Sequence, residues 1–145
     1  MTNIRIGILD YGLGNLGSIY NMLKYIEFNP TIVDNFTSLK DYDLLILPGV
    51  GKFDTGIDRL MEKNFYHEIK SHVFEKQKFL LGICLGMQLL CHDSEEGTRK
   101  GLGIFDANVI KLNKKFTEKL LIPHMGWNYV HSEKDKYLLN GITNP

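Results

Sequence analysis

The sequence predicts a parallel, doubly wound α/β sheet, and three observations carry that prediction. Residues 4–90 alternate short apolar runs with helix-length segments. The apolar runs are continuous rather than alternating, which is how strands covered by helices on both faces read. Turn-forming residues gather where those runs end: Asp10, then Pro48-Gly49-Val50-Gly51, then Gly82 to Gly86. In open α/β sheets, ligands bind beyond the carboxyl ends of the strands, so these three points can share one site.

The elements follow in order. Ile4 to Leu9 is a mostly apolar strand ending at Asp10. Leu16, Ile19, Leu23 and Ile26 recur at three- and four-residue spacing, predicting a helix over 15–28. Pro30 cannot continue it. Thr31-Ile32-Val33 is a short strand, and Asp43 to Leu47 a buried one. Two helices are expected at 54–63 and 65–75, joined around Asn64, then a strand at 79–83. Past Gly97 the character changes to short strands with polar turns, over Leu102–Phe105, Asn108–Leu112 and Trp127–Val130.

A chain of 145 residues can bury one real core. Seventeen basic residues balance seventeen acidic ones, so no net field draws nucleic acid or an anionic membrane. No apolar run reaches membrane-spanning length, and the N-terminus carries no secretory pattern. Cys84 and Cys91 are the only cysteines. On one helix their spacing is too wide to bridge, and free thiols point to the cytoplasm.

Gly82-Ile83-Cys84-Leu85-Gly86 is the most informative segment. An apolar run precedes it and a helix-like stretch follows, making strand, sharp turn and helix with a thiol at the turn. This is the cysteine form of a nucleophile elbow, whose flanking glycines permit close backbone approach. Unpaired N–H groups at the start of the helix favour the thiolate, the reactive form. A small buried cysteine beside two packing glycines is the plainer alternative.

Gly12-Leu13-Gly14-Asn15-Leu16-Gly17 offers a rival. It is a literal G-x-G-x-x-G after the first strand, with Asp34 twenty residues beyond Gly14. That matches a dinucleotide-binding fingerprint. Against it, Asp10-Tyr11 lengthens the turn, and the elbow and Pro48-Gly49-Val50-Gly51 stay unexplained.

Five segments occur in a telling order. They are Asp10 to Leu16, Leu47 to Gly51, Gly82 to Leu90, Ser94-Glu95-Glu96-Gly97 and Pro123-His124-Met125-Gly126-Trp127-Asn128. Together they resemble the glutaminase subunits of imidazole glycerol phosphate synthase, within the class I (triad) glutamine amidotransferases. The likeness runs along residues 1–145 as one domain and assigns the glycine-rich loop to the glutaminase signature. It implies a flavodoxin-like fold that hydrolyses glutamine and passes ammonia through a tunnel to a (β/α)8-barrel cyclase making imidazole glycerol phosphate. It also implies roles. Cys84 is the nucleophile, and the oxyanion donors come from Leu85 and the Val50–Gly51 turn. Gln88 and Glu96 bind glutamine, and Asn15, His124, Met125 and Trp127 face the partner. No metal and no cofactor enter this reading.

The family places its base and orienting carboxylate in a late His-Pro-Glu segment, which these 145 residues lack. His67 and His72 are expected on a helix surface, His92 in solvent, and His124 and His131 in no catalytic pattern. The chain is therefore expected to be incomplete at its C-terminus and, alone, nearly inactive. Two other functions stay open. Asp106-Ala107 after Gly101-Leu102-Gly103 slightly favours a paralogue feeding a sugar amidotransferase of surface-polysaccharide synthesis. A catalytically inactive partner-binding module is the other.

Overall fold

The computed structural model describes residues 4–112 and 126–129. The chain divides into two compact units, Met1–Lys111 and Leu112–Pro145. In the first, β1 (Ile6–Leu9), β2 (Thr31–Val33), β3 (Leu44–Gly49) and β4 (Phe79–Cys84) form one parallel sheet in the order β2-β1-β3-β4. The crossovers are α1 (Leu16–Tyr25), a 3-10 turn (Phe36–Asp41), and the pair α2 (Phe53–Glu62) and α3 (Phe65–Lys70). A π turn over Ser71–Glu75 continues α3, and α4 (Leu85–Leu89) follows β4 directly. The predicted α/β class, the parallel sheet and its strands are all present.

Side chains alternate across a sheet, so each strand offers two faces. On one face Leu9, Leu45 and Leu47 are buried with Phe53, Ile57 and Leu60 of α2, Phe65 and Ile69 of α3, and Leu85 and Leu89 of α4. The α2 residues recur at four- and three-residue spacing, which turns one helical stripe inward. Gly56 lets α2 approach α4, where a Cβ would meet Leu89 at 2.9 Å. This core fixes the strand ends that carry the site.

The other face differs from expectation. Ile6, Ile8 and Ile46 are buried there, but Ile32, Leu81 and Ile83 are exposed and Phe79 is 77% exposed. Helix α1 lies against β1 and β2, with Leu16, Ile19 and Leu23 only half-buried. Among the described residues nothing pairs with the outer side of β4. A continuous apolar run predicts burial on both faces, yet here only one face of β4 faces the core.

The segment after Gly97 also departs from prediction. Leu102–Phe105 is not a strand: Leu102 N–H donates to Leu89 O, and Ile104 and Phe105 N–H to Leu90 O. These are carbonyls that the end of α4 leaves without helical partners. Of 108–112 only β6 (Asn108–Val109) is extended, paired in parallel with β5 (Asp93–Ser94). Trp127 to Tyr129 form no strand, and Val130 lies outside the described residues.

Candidate active site

Strand β4 ends at Cys84 and α4 begins at the next residue, with no loop between them. Cys84 takes φ +56° and ψ −118°. That is a left-handed torsion which a residue with a Cβ adopts only where surrounding packing enforces it. The enforcement is visible. A Cβ at Gly82 would lie 2.6 Å from Met87 Cα, and one at Gly86 would collide with the Leu47 carbonyl oxygen. The glycines therefore let α4 fold back tightly over β3 and β4. Cys84 is exposed and unbridged, while Cys91 is buried, which raises its thiol pKa. With only five residues, α4 offers Cys84 the free N–H groups of a first turn and little accumulated dipole.

Gly49 is the strand partner of Cys84. Beyond it the chain turns through Val50, which is exposed, and Gly51, at φ +114°. The backbone of Val50 and Gly51 and the amide of Leu85 thus sit at neighbouring strand ends. Leu85 itself is buried.

The first loop packs against the same place. Gly12 and Gly14 take φ +86° and +101°, and a Cβ at Gly14 would approach Pro48 Cβ to 3.2 Å. Asp10 accepts the Gly12 N–H at 3.0 Å, and Asn15 accepts the Ser18 N–H at 3.1 Å as the α1 cap. Gly12 serves the turn and Gly14 the packing against Pro48, and Asn15 occupies an amide of the first turn of α1, an arrangement unlike a phosphate cradle. Tyr11 is fully buried and its hydroxyl donates to Pro48 O at 2.6 Å. Burial, and secondarily the charge of Cys84, push the phenol pKa well up. Sequence reasoning missed Tyr11, because its partner lies far along the chain.

Glu96 is more than a solvated loop charge. Its carboxylate accepts the Phe53 N–H at 3.3 Å, at the start of α2, where Lys52 supplies no side-chain cap. Asp54 fastens the same loop. Its carboxylate accepts N–H bonds from Thr98 at 3.0 Å and Arg99 at 2.9 Å, and these hold its pKa below the usual carboxylate range. Glu96 is thereby held beside the 48–52 turn. Gln88 is half-buried on α4, three residues beyond Leu85.

Of the expected partner-side residues, Asn15 is exposed in the first unit and Trp127 exposed in the second. His124 and Met125 lie outside the described residues, as does His131. His67 packs edge-on against Tyr66. His92 is exposed and bonds Asp106 at 3.2 Å. His72 corrects a prediction: it is buried, with Nε2 3.2 Å from Phe79 O. That contact ties the π turn to the first residue of β4. None of these contacts involves Cys84.

Among the described residues no group of three or more His, Cys, Asp or Glu could hold a metal, and no helix is long and apolar enough to cross a membrane.

The family model for Glutamine amidotransferase class-I matches residues 7–145. The chain belongs to the class-I glutamine amidotransferase family. This amidotransferase is 46% identical over 140 residues to imidazole glycerol phosphate synthase subunit HisH 2 of Methanococcus maripaludis, covering 96% of this chain and 68% of that one. It is also 46% identical to the HisH subunit of Caldanaerobacter subterraneus, covering 96% of this chain and 66% of that one. With the HisH subunit of Leptospira interrogans it shares 44% identity, over 97% of this chain and 70% of the other. A crystal structure of a glutamine amidotransferase shares its fold, with a TM-score of 0.61 at 24% identity. That match covers 72% of this amidotransferase and 55% of the solved chain.

Proposed function

We propose that this amidotransferase is the glutaminase subunit of imidazole glycerol phosphate synthase, with residues 1–145 belonging to its class I amidotransferase domain, acting in the cytoplasm. It hydrolyses glutamine to glutamate and ammonia for a barrel-type cyclase, in the pathway to histidine. The observation that carries this reading is the torsion of Cys84, a strained, exposed thiol at a strand-to-helix turn. Structural cysteines have no need of such a backbone; nucleophiles do.

The chemistry follows from the placement. The Cys84 thiolate adds to the side-chain amide carbon of glutamine, and the carbonyl electron pair moves onto oxygen. The Leu85 N–H and the Val50–Gly51 turn stabilise that oxyanion. Collapse breaks the C–N bond, the departing nitrogen taking the proton that the thiol gave up, so ammonia leaves behind a γ-glutamyl thioester that water cleaves to glutamate and free thiol. Glu96, one carboxylate oxygen on Phe53, has a second oxygen for the substrate's ammonium group. Gln88 supplies an amide for the substrate's polar end. The triad base is not assigned to any described histidine, and the steps use no cofactor. By resemblance, partner contacts are assigned to Asn15 in the first unit and, separately, to His124, Met125 and Trp127.

The test is trapping with the chloroketone analogue of glutamine, read by mass spectrometry. A single adduct on Cys84, suppressed by glutamine and absent in Cys84→Ser, is expected. No adduct, or equal labelling of Cys91, sinks the reading. Co-purification with a barrel cyclase tests the partner.

A further inference from the structure

We propose that Tyr11 is a positioning residue whose buried hydroxyl clamps the Pro48 carbonyl and so sets the direction of the Val50 and Gly51 amides beside Cys84. The inference rests on the glutaminase reading above, and it names the side chain that holds the oxyanion turn in place.

Three observations carry it. First, the ladder between β1 and β3 stops at Ile8 and Ile46, whereas the ladder between β3 and β4 continues to Gly49 and Cys84. The last residues of β3 therefore keep a strand on the β4 side and lose it on the β1 side. The Tyr11 hydroxyl, reaching from just past the end of β1, bonds Pro48 O at 2.6 Å in the buried interior. It replaces the missing strand with a single donor. A carbonyl at that depth without its partner would have reason to turn, and a peptide plane that turns carries its neighbours with it.

Second, the space is shaped for this phenol. A Cβ at Gly49 would strike the Tyr11 oxygen, so the glycine opposite Cys84 leaves the room that the hydroxyl fills. Third, the phenol stays a donor. Burial and the charge of Cys84 both favour its protonated form, so it neither titrates near neutrality nor serves as a base. What remains for it is to hold geometry. Oxyanion donors act through fixed direction, and small misplacements lower the rate while leaving binding intact.

Tyr11→Phe removes the hydroxyl and keeps the ring. The backbone amides of Val50 and Gly51 are followed by their NMR chemical shifts, with Ile57 and Leu60 of α2 as the comparison. The Val50 and Gly51 signals should move while the α2 signals stay in place. The limiting rate of Cys84 inactivation by the chloroketone should fall about tenfold, with half-saturation unchanged. Alkylation by iodoacetamide, a displacement that forms no oxyanion, should stay at its wild-type rate. A merely structural role would move the Val50, Gly51 and α2 signals together, and that result overturns the proposal. Unmoved signals at Val50 and Gly51 overturn it as well. If wild-type chain reacts with iodoacetamide but never with the chloroketone, the glutaminase reading fails, and the amide shifts alone decide the clamp.

Discussion

Cys84 holds a torsion that glycine adopts without steric cost. Cys84→Gly should therefore be inert yet more stable than the parent, by about 1 kcal/mol once the added freedom of the unfolded glycine is subtracted. Cys84→Ser should be equally inert with no gain, and thermal melts of the two variants separate strain from chemistry. Gly86→Ala tests the opposite sense. Its methyl would overlap the Leu47 carbonyl, a backbone atom that cannot step aside. It should cost about 3 kcal/mol or more, seen as a lowered unfolding midpoint. The elbow was legible in the sequence because both glycines and the thiol lie within five residues. Tyr11 was not legible, since nothing local marks a phenol whose partner is 37 residues away. Glu96 was legible as a carboxylate near the site, but its bond to Phe53 depends on where the fold sets α2.

At the level of elements, α1 ends in a Schellman motif. Phe28 N–H bonds Leu23 O at 2.9 Å and Glu27 N–H bonds Lys24 O at 3.0 Å. The left-handed residue is Glu27, at φ +66°, where glycine is preferred. Glu27→Gly should stabilise the chain by about 0.5–1 kcal/mol, read from denaturant unfolding. The loop held by Asp54 makes a different prediction. Asp54→Ala releases the Thr98 and Arg99 amides, so the chloroketone should need a severalfold higher concentration for half-saturation, at an unchanged limiting rate. An unchanged half-saturation would mean that the loop needs no such fastening. Spacing revealed the existence of helices and strands, while their partners stayed hidden. Leu102–Phe105 has the composition of a strand, yet its amides go to the open end of α4. Residues 65–75 kept helical spacing, yet a π turn at Ser71–Glu75 draws His72 inward.

For the whole molecule, the exposed row Phe79, Leu81 and Ile83, on a strand edge with no partner among the described residues, favours self-association. The chain should form concentration-dependent oligomers by light scattering, and Leu81→Lys should raise the monomer fraction while leaving Cys84 labelling intact. A monomer at every concentration, melting sharply, would contradict this. His72 gives the pH dependence. Burial lowers its folded pKa below the ordinary value of 6.5. The unfolded chain then binds the proton first as pH falls, so stability is full above about pH 6.5 and declines below it. His72→Gln should flatten that decline between pH 7 and 5. Composition and charge showed a balanced globular chain, and continuous apolar strands showed the sheet. They could not show that the described residues cover β4 on one face only, because a run of apolar residues states a preference for cover and not its presence.

The thiol proposed as the nucleophile is also the last residue of β4, a strand with no fully buried residue. Proteins open piecemeal, and thinly covered edges open at lower cost than cores. In rising urea, β4 would fray while Leu47, Ile57 and Leu89 still hold the α2 and α4 side together. Competence and foldedness would then have separate midpoints, with the capacity to trap a glutamine analogue fading before the helical signal does.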